Sequence, residues 1–257
     1  MTRRWLPMGL LAAATVAGCG KQAGMDNVMG KVFPKPVEVR VVEVQSEDAD
    51  VRRNAVLAVG KSKKVHRYPS LVRLLCLVAR TDSDAMVRAA AARSLSGVRG
   101  EGVVETLAEV LAEDPNAHVR LDAAKAMGGQ EGSEVVRALA AALKDDTSLD
   151  VRVAAAEVLR EFRDGEAARA LADRLDDTRL AVAFKAWESL RHMTGQDLPR
   201  EPEPWEAFLA SSDAPFARHG HAPALPKGES QRPHFTKGIG DFFADFFKRD
   251  VREAELK

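Results

Sequence analysis

The stretch Asp84-Ala-Met-Val87-Arg88-Ala-Ala-Ala91-Ala-Arg-Ser-Leu95 decides the fold, because its pattern returns in phase at four other places. The matching segments run from Asp48 to Ala55, Asn116 to Ala123, Ser148 to Ala155 and Arg179 to Ala186. Their valines, Val51, Val87, Val119, Val151 and Val182, stand 36, 32, 32 and 31 residues apart. Four residues after each Val comes Ala, and eight after it comes Val59, Leu95, Met127, Leu159 or Leu190. Steps of four place these residues on one helix face. A period near 32 residues is the mark of a solenoid, in which one supersecondary unit buries its apolar face only by stacking on the next.

Each unit can be built from its own residues. Asp48, Asp84, Asn116 and Ser148 precede the Val by three and read as N-caps, whose side chains accept from free N–H groups of the first turn. Ala at the middle step lets a neighbouring helix approach closely. Gly60, Gly97 and Gly128 read as helix stops with positive φ. Between the Val helices lie second amphipathic segments, Ser70 to Arg80, Val103 to Ala112, Ser133 to Lys144 and Glu166 to Leu175. The expectation is therefore an all-α solenoid of about five helix pairs over residues 37–195. Its first segment, Val37 to Val44, alternates apolar and polar residues, so it reads as a strand-like or irregular cap as readily as a helix.

Composition supports this class. Aromatics are only 5% and Ala is abundant, which favours close-packed helices over a sandwich. The 38 basic and 38 acidic residues cancel, so no net field concentrates nucleic acid, and no nucleic-acid partner is expected. Cys76, inside Leu71-Val72-Arg73-Leu74-Leu75-Cys76-Leu77, reads as a small buried hydrophobe.

The V-R-x-x-A-A-x-x-L core resembles HEAT repeats, most closely the short bacterial HEAT-like repeats related to phycobilisome-lyase domains. Unit five departs from the pattern, with Ala183 where the others carry Arg. Stacking would bring Arg52, Arg88, Arg120 and Arg152 into a ladder. One reading of this ladder is structural, each Arg pairing with Asp or carbonyl groups of an adjacent unit. The other is a basic strip for an acidic partner. In HEAT families the second helix of each pair lines the concave surface, and the resemblance puts Arg53, Lys125, Glu157, Lys185 and Glu188 near a binding groove there.

The flanks carry other messages. Arg3 and Arg4, the apolar run Leu6 to Ala14, and Val16-Ala17-Gly18-Cys19 resemble the signal peptide and lipobox of bacterial lipoproteins. That resemblance implies removal of residues 1–18, lipid on Cys19 and a place in the cell envelope. Residues 19–36, ending in Pro34-Lys35-Pro36, read as a tether. Residues 196–210, with Trp205 and Phe208 three apart, read as a cap, and the proline-bearing residues 211–234 as a linker. In residues 235–257, Ile239, Phe242, Phe243, Phe246 and Phe247 fall on one helical stripe that must find an apolar surface, with docking onto the solenoid first in order.

No phosphate loop, nucleophile elbow or metalloprotease motif is present in the sequence. The His219-Gly220-His221 pair lacks a third ligand at suitable spacing, so no metal and no cofactor are expected. None of the six His is followed by Glu, so the di-iron motif of the HEAT-like hydroxylases is missing. The expectation is a non-catalytic, membrane-tethered scaffold for a protein partner. The competing expectation is a lyase-like or chromophore-handling accessory enzyme.

Overall fold

The computed structural model describes residues 36–221. Among them are eleven α-helices and no strand. They form five antiparallel pairs: α1 (Val37–Glu43) with α2 (Ala49–Lys61), α3 (Pro69–Thr81) with α4 (Ala85–Ser94), α5 (Val103–Glu113) with α6 (Ala117–Met127), α7 (Ser133–Asp145) with α8 (Leu149–Leu159), and α9 (Gly165–Ala172) with α10 (Leu180–Thr194). A last helix, α11 (Pro202–Ser211), packs on α9. The even helices stack on one another in one layer, and α3, α5, α7 and α9 stack in a second.

The repeat column explains the layering. Val87, Val119, Val151 and Val182 are fully buried, as are Ala55, Ala91, Ala123, Ala155 and Ala186 at the next step. Ala has no side chain beyond Cβ, so the even helices can lie close. The odd helices bring the larger residues, including Leu75, Leu107, Leu139 and Leu171, into the core between the layers. Fully burying one such Leu is worth roughly 1.5–3 kcal/mol.

Residues 37–43 are a short helix, which settles the open choice at the first segment. Val37 and Val41 pack on the core, four apart on one face, so helical spacing prevailed over the apolar–polar alternation.

Of the three glycine stops, Gly60 does not hold, and Gly128 ends its helix without the expected positive φ. Only Gly97 has positive φ, at 69°. Gly60 lies inside α2, and Gly128 ends α6 with an ordinary right-handed φ of −61°. The reason for Gly60 is close approach: a Cβ built on it would lie 2.4 Å from Ser94 Cβ on the stacked helix α4. Gly60→Ala is therefore expected to destabilise the stack by about 1–3 kcal/mol, the usual range for overpacking, although Ala is the better helix former. Adding Ser94→Gly should recover most of that loss in urea denaturation. Full additivity of the two losses would refute the contact as the cause.

Of the four caps, Asp48, Asp84 and Asn116 accept from first-turn N–H groups. The Ser148 hydroxyl makes no capping bond. Its own N–H donates instead to Asp146 Oδ1 at 2.7 Å.

Residues 211–221 do not form an open linker. Phe216 packs against the core, and the Gly220 N–H donates to the His192 carbonyl at 2.9 Å. Gly195 closes α10 with φ 67°, and a Cβ there would meet Arg218 at 2.5 Å. Residues 222–234, the Phe stripe at 239–247, the tether and the lipobox lie outside the described residues.

Candidate functional site

The ladder arginines are held by a second column that the sequence reading missed. Five residues before each repeat Val stands Asp82, Asp114, Asp146 or Asp177. Each accepts the Arg of the preceding pair. Arg52 forks onto Asp82 through Nε and a terminal nitrogen at 2.8 and 2.9 Å. Arg88 does the same on Asp114 at 2.7 and 3.0 Å, and Arg120 on Asp146 at 2.8 and 2.9 Å. Arg152 pairs with Asp177 through a terminal nitrogen and donates from Nε to the Leu143 carbonyl at 3.0 Å. Arg88 and Arg120 also reach the carbonyls of Asp82 and Asp114 in their own loops, both at 2.9 Å.

Each of these carboxylates has a further task, because its Oδ1 accepts the N–H two residues on, at Asp84, Asn116, Ser148 or Arg179. Burial alone would raise the Asp82 and Asp146 carboxyls. The Arg fork and the loop N–H together outweigh it and hold both below the ordinary carboxylate range. A hollow of about 340 Å³ lies on this edge, lined by residues that include Arg80, Asp82, Arg88 and Asp114. The fork groups that line it are already paired, Asp82 with Arg52 and Arg88 with Asp114.

The solvent side of the even helices presents a different set. Lys125 is exposed, and Arg53, Glu157, Lys185 and Glu188 are partly exposed. Arg53 pairs with Asp50 at 2.9 Å, and Lys185 with Glu188 at 2.6 Å. These five residues do not form one cluster of touching groups. They are distributed along successive helices, six residues after the repeat Val in the cases of Lys125, Glu157 and Glu188. Arg93 holds that same place in the second pair, and its guanidinium meets the buried Asp122 carboxylate of the third pair at 2.6 Å. The column alone could have found it. The face is thus a mixed-charge strip, basic at Arg53, Arg93 and Lys125 and acidic at Glu157, with Lys185 and Glu188 paired at the last helix.

A buried polar corner closes the far end. Arg191 is only 2% exposed, lies 4.6 Å over the Trp187 ring and pairs with Asp197 at 2.8 Å. Trp187 Nε1 donates to the Leu198 carbonyl at 2.8 Å, and Trp205 Nε1 to that of Pro199 at 2.6 Å. Stacking and pairing meet the demands of a charge taken out of water. His219 Nε2 sits 3.0 Å from the Arg160 carbonyl, and its ring meets His192 edge-on. Burial first, and the Arg160 charge second, push the His192 pKa down. His221 Nδ1 faces the His219 carbonyl at 3.1 Å, so the two outer histidines point to backbone oxygens and do not converge. Cys76 is buried, and burial pushes its thiol up, away from reactivity. No group of three metal-ligating side chains is found among the described residues.

A stack of helix pairs tied by a recurring Arg–Asp fork, with a close-packed alanine layer, defines an α-solenoid repeat protein. The comparison with known families makes this specific. The model for HEAT repeats matches residues 37–128 and 72–157, and that for the PBS lyase HEAT-like repeat matches residues 151–177. Together they span residues 37–177, and the chain belongs to the HEAT-repeat proteins. Among solved structures, a crystal structure of an engineered protein is similar at 21% identity and a TM-score of 0.42, covering 60% of this chain and 78% of that one. No curated protein matches.

Proposed function

We propose that this HEAT-repeat chain is a non-catalytic scaffold, tethered to a membrane through lipid on Cys19, that binds a protein partner on the solvent face of its even helices. The observation that carries the reading is the division of labour between two charged columns. The Arg–Asp forks are inward-turned, with side chains at most 15% exposed, and hold the stack together. The Lys125–Glu157 strip leaves two side chains of opposite charge open to a partner, neither with an ion-pair mate among the described residues. The resemblance to HEAT families, in which the second helix of each pair lines the concave surface, supports assigning the binding face to the even helices. A partner of mixed charge could be met there by complementary pairs that set orientation and on-rate more than raw affinity.

The test is capture from the native envelope with the wild-type chain and with Lys125→Glu combined with Glu157→Lys. The wild type should retain a protein that the charge-swapped chain releases. Retention by both overturns the face assignment. A co-purifying small molecule with no protein would favour the lyase-like alternative. The tether is tested separately: Cys19→Ser should abolish acyl labelling, and persistent labelling would refute it.

A further inference from the structure

The charges that cancel over the whole chain do not cancel locally. From Val51 to Thr81 there are eight basic residues and no acidic one. Lys63, Lys64 and Arg67 stand in the loop 62–68 that joins α2 to α3. Lys61 ends α2 just before it, and Arg73 lies in the second turn of α3. The loops joining later pairs fall on the same edge, because the pairs are antiparallel, and none of them has this excess. Loop 95–102 has Arg99 and Glu101, loop 128–132 only Glu131, and loop 160–164 sets Arg160 and Arg163 against Glu161 and Asp164.

The basic loop is held in one shape. Val65 is 1% exposed, and its N–H donates to the Ser62 carbonyl at 3.0 Å. The Arg67 and Tyr68 N–H groups both donate to the Lys64 carbonyl, at 2.9 and 3.0 Å. His66, Arg67 and Arg73 border a single hollow of about 220 Å³, together with Arg99 and Glu101 of the loop before α5. Arg67 and Arg73 are exposed and have no ion-pair mate among the described residues, and the same holds for Lys61 and Lys63. Arg99 pairs with Glu131 at 2.7 Å, with both side chains mostly exposed, and a pair so exposed is weak enough to yield to a stronger anion. Three guanidinium groups and one carboxylate thus line the hollow.

Lys64 shows where this edge sits. Its Nζ donates to Glu38 Oε1 at 2.6 Å, at the start of α1 and two residues after Pro36. The basic loop therefore lies beside the point where residues 19–36 enter the array.

We infer that the hollow bordered by Arg67, Arg73 and Arg99 is a phosphate site for the headgroup of an anionic phospholipid, with Lys61 and Lys63 extending it into a membrane-facing edge. Guanidinium forks match phosphate oxygens in pairs. Each Lys or Arg near an anionic bilayer also strengthens binding about fivefold. The exposed Tyr68 ring beside Arg67 suits the headgroup level, with an apolar body and a polar tip. Nucleic acid fits less well, because its evenly spaced phosphates call for a track of cations. Here the excess stops at one loop and one small hollow. That the lipid belongs to the membrane holding the chain rests on the tether reading of Cys19; the headgroup site itself does not.

Co-sedimentation of the full chain with added vesicles tests the site. One set is phosphatidylcholine alone, and the other contains about one-third phosphatidylglycerol, an anionic lipid. Acyl chains and apolar segments of the protein contribute to both sets alike, so the difference reads headgroup charge. The anionic vesicles should bind at least about 50-fold more tightly, and Arg67→Gln with Arg73→Gln should remove about 25-fold of that gain. Both side chains are exposed and unpaired, so the double variant stays folded, which unchanged far-UV circular dichroism would show. Lys144→Gln with Arg163→Gln makes the same charge change elsewhere and should bind as the wild type does. Equal binding to the two vesicle sets, or an equal loss in the Lys144 and Arg163 control, overturns the inference. So does a duplex oligonucleotide that binds more tightly than the vesicles and is released by the Arg67 and Arg73 double variant, which would assign the edge to nucleic acid. Inorganic phosphate that stabilises the wild type and not the double variant, without any preference for anionic vesicles, would assign the hollow to a free anion and overturn the lipid source. None of these results depends on Cys19, so the tether stands or falls by its own acyl-labelling test.

Discussion

Trp205→Ala is expected to cost about 3–5 kcal/mol of unfolding free energy, the range for removing a large aromatic from a core. Trp205 is fully buried in a helix, α11, whose packing partner is α9. Its indole also donates to the Pro199 carbonyl at 2.6 Å, which fixes the turn into α11. Trp205→Phe should keep most of the burial and lose only that bond. The loss from Ala should not spread evenly. In a repeat stack each unit is stabilised by its neighbours, so the last pair should open first. Hydrogen exchange should accelerate in α9, α10 and residues 212–220 while α4 to α6 keep their protection. An unfolding free energy in urea within about 0.5 kcal/mol of wild type would show that α11 does not cap the array.

What was legible from the sequence follows from where the periodicity is strong. The Val, Ala and Leu columns recur five times, so the even helices and their buried faces could be read directly. The odd helices were placed to within a few residues, because Leu139 and Leu143 keep the spacing of one face. The Asp column at 82, 114, 146 and 177 was equally periodic and went unread, since loop residues are not expected to carry a structural pattern. Gly60 was misread because a glycine near a helix end suggests a stop, while Gly128 does end its helix but without the positive φ expected of it. At Gly60 the cause is a helix 34 residues further along, and no local rule sees Ser94. The fold of residues 212–220 back onto α10 was hidden for the same reason: Phe216 and Gly220 answer to residues of the last pair, not to their own neighbours.

The two irregular units now have a physical account. An Arg after the repeat Val serves to hold the Asp loop of the following pair. The last pair has no following loop of that kind, and its position is Ala183, only 3% exposed. The first pair receives no Arg from a preceding pair, and Ser46 stands where the others have Asp; it still accepts the Asp48 N–H at 3.3 Å, the loop half of the task. The charged strip proposed for binding is the less legible part, because exposed residues are under no packing constraint and their places vary from unit to unit. Arg53 stands two residues after its Val, whereas Lys125 stands six after.

Arg120→Ala should destabilise the array by about 1.5–3 kcal/mol, the range for hydrogen bonds made by charged groups. Arg120 is 11% exposed and Asp146 5%, so removing the guanidinium strands a largely desolvated carboxylate. It also frees the Asp114 carbonyl, losing a tie within the third pair's own loop. Arg120→Lys should recover only part of this, since one ammonium cannot span both Asp146 oxygens as the planar fork does. The acid limb gives an independent sign. The Asp146 carboxyl lies below its ordinary value in the folded chain, so the unfolded chain binds its proton first as pH falls. The fork's contribution is therefore present at neutral pH and is lost below about pH 4, through the depressed folded value. In Arg120→Ala that carboxyl loses the larger of the two hydrogen-bonding groups that lower it and keeps the Ser148 N–H, so the variant should start less stable and fall less steeply in acid. A double-mutant cycle with Asp146→Ala should show coupling of at least about 1 kcal/mol. Additive losses, with an unchanged acid limb, would mean that the fork is an ornament of the loop and that the alanine layer alone sets the stack.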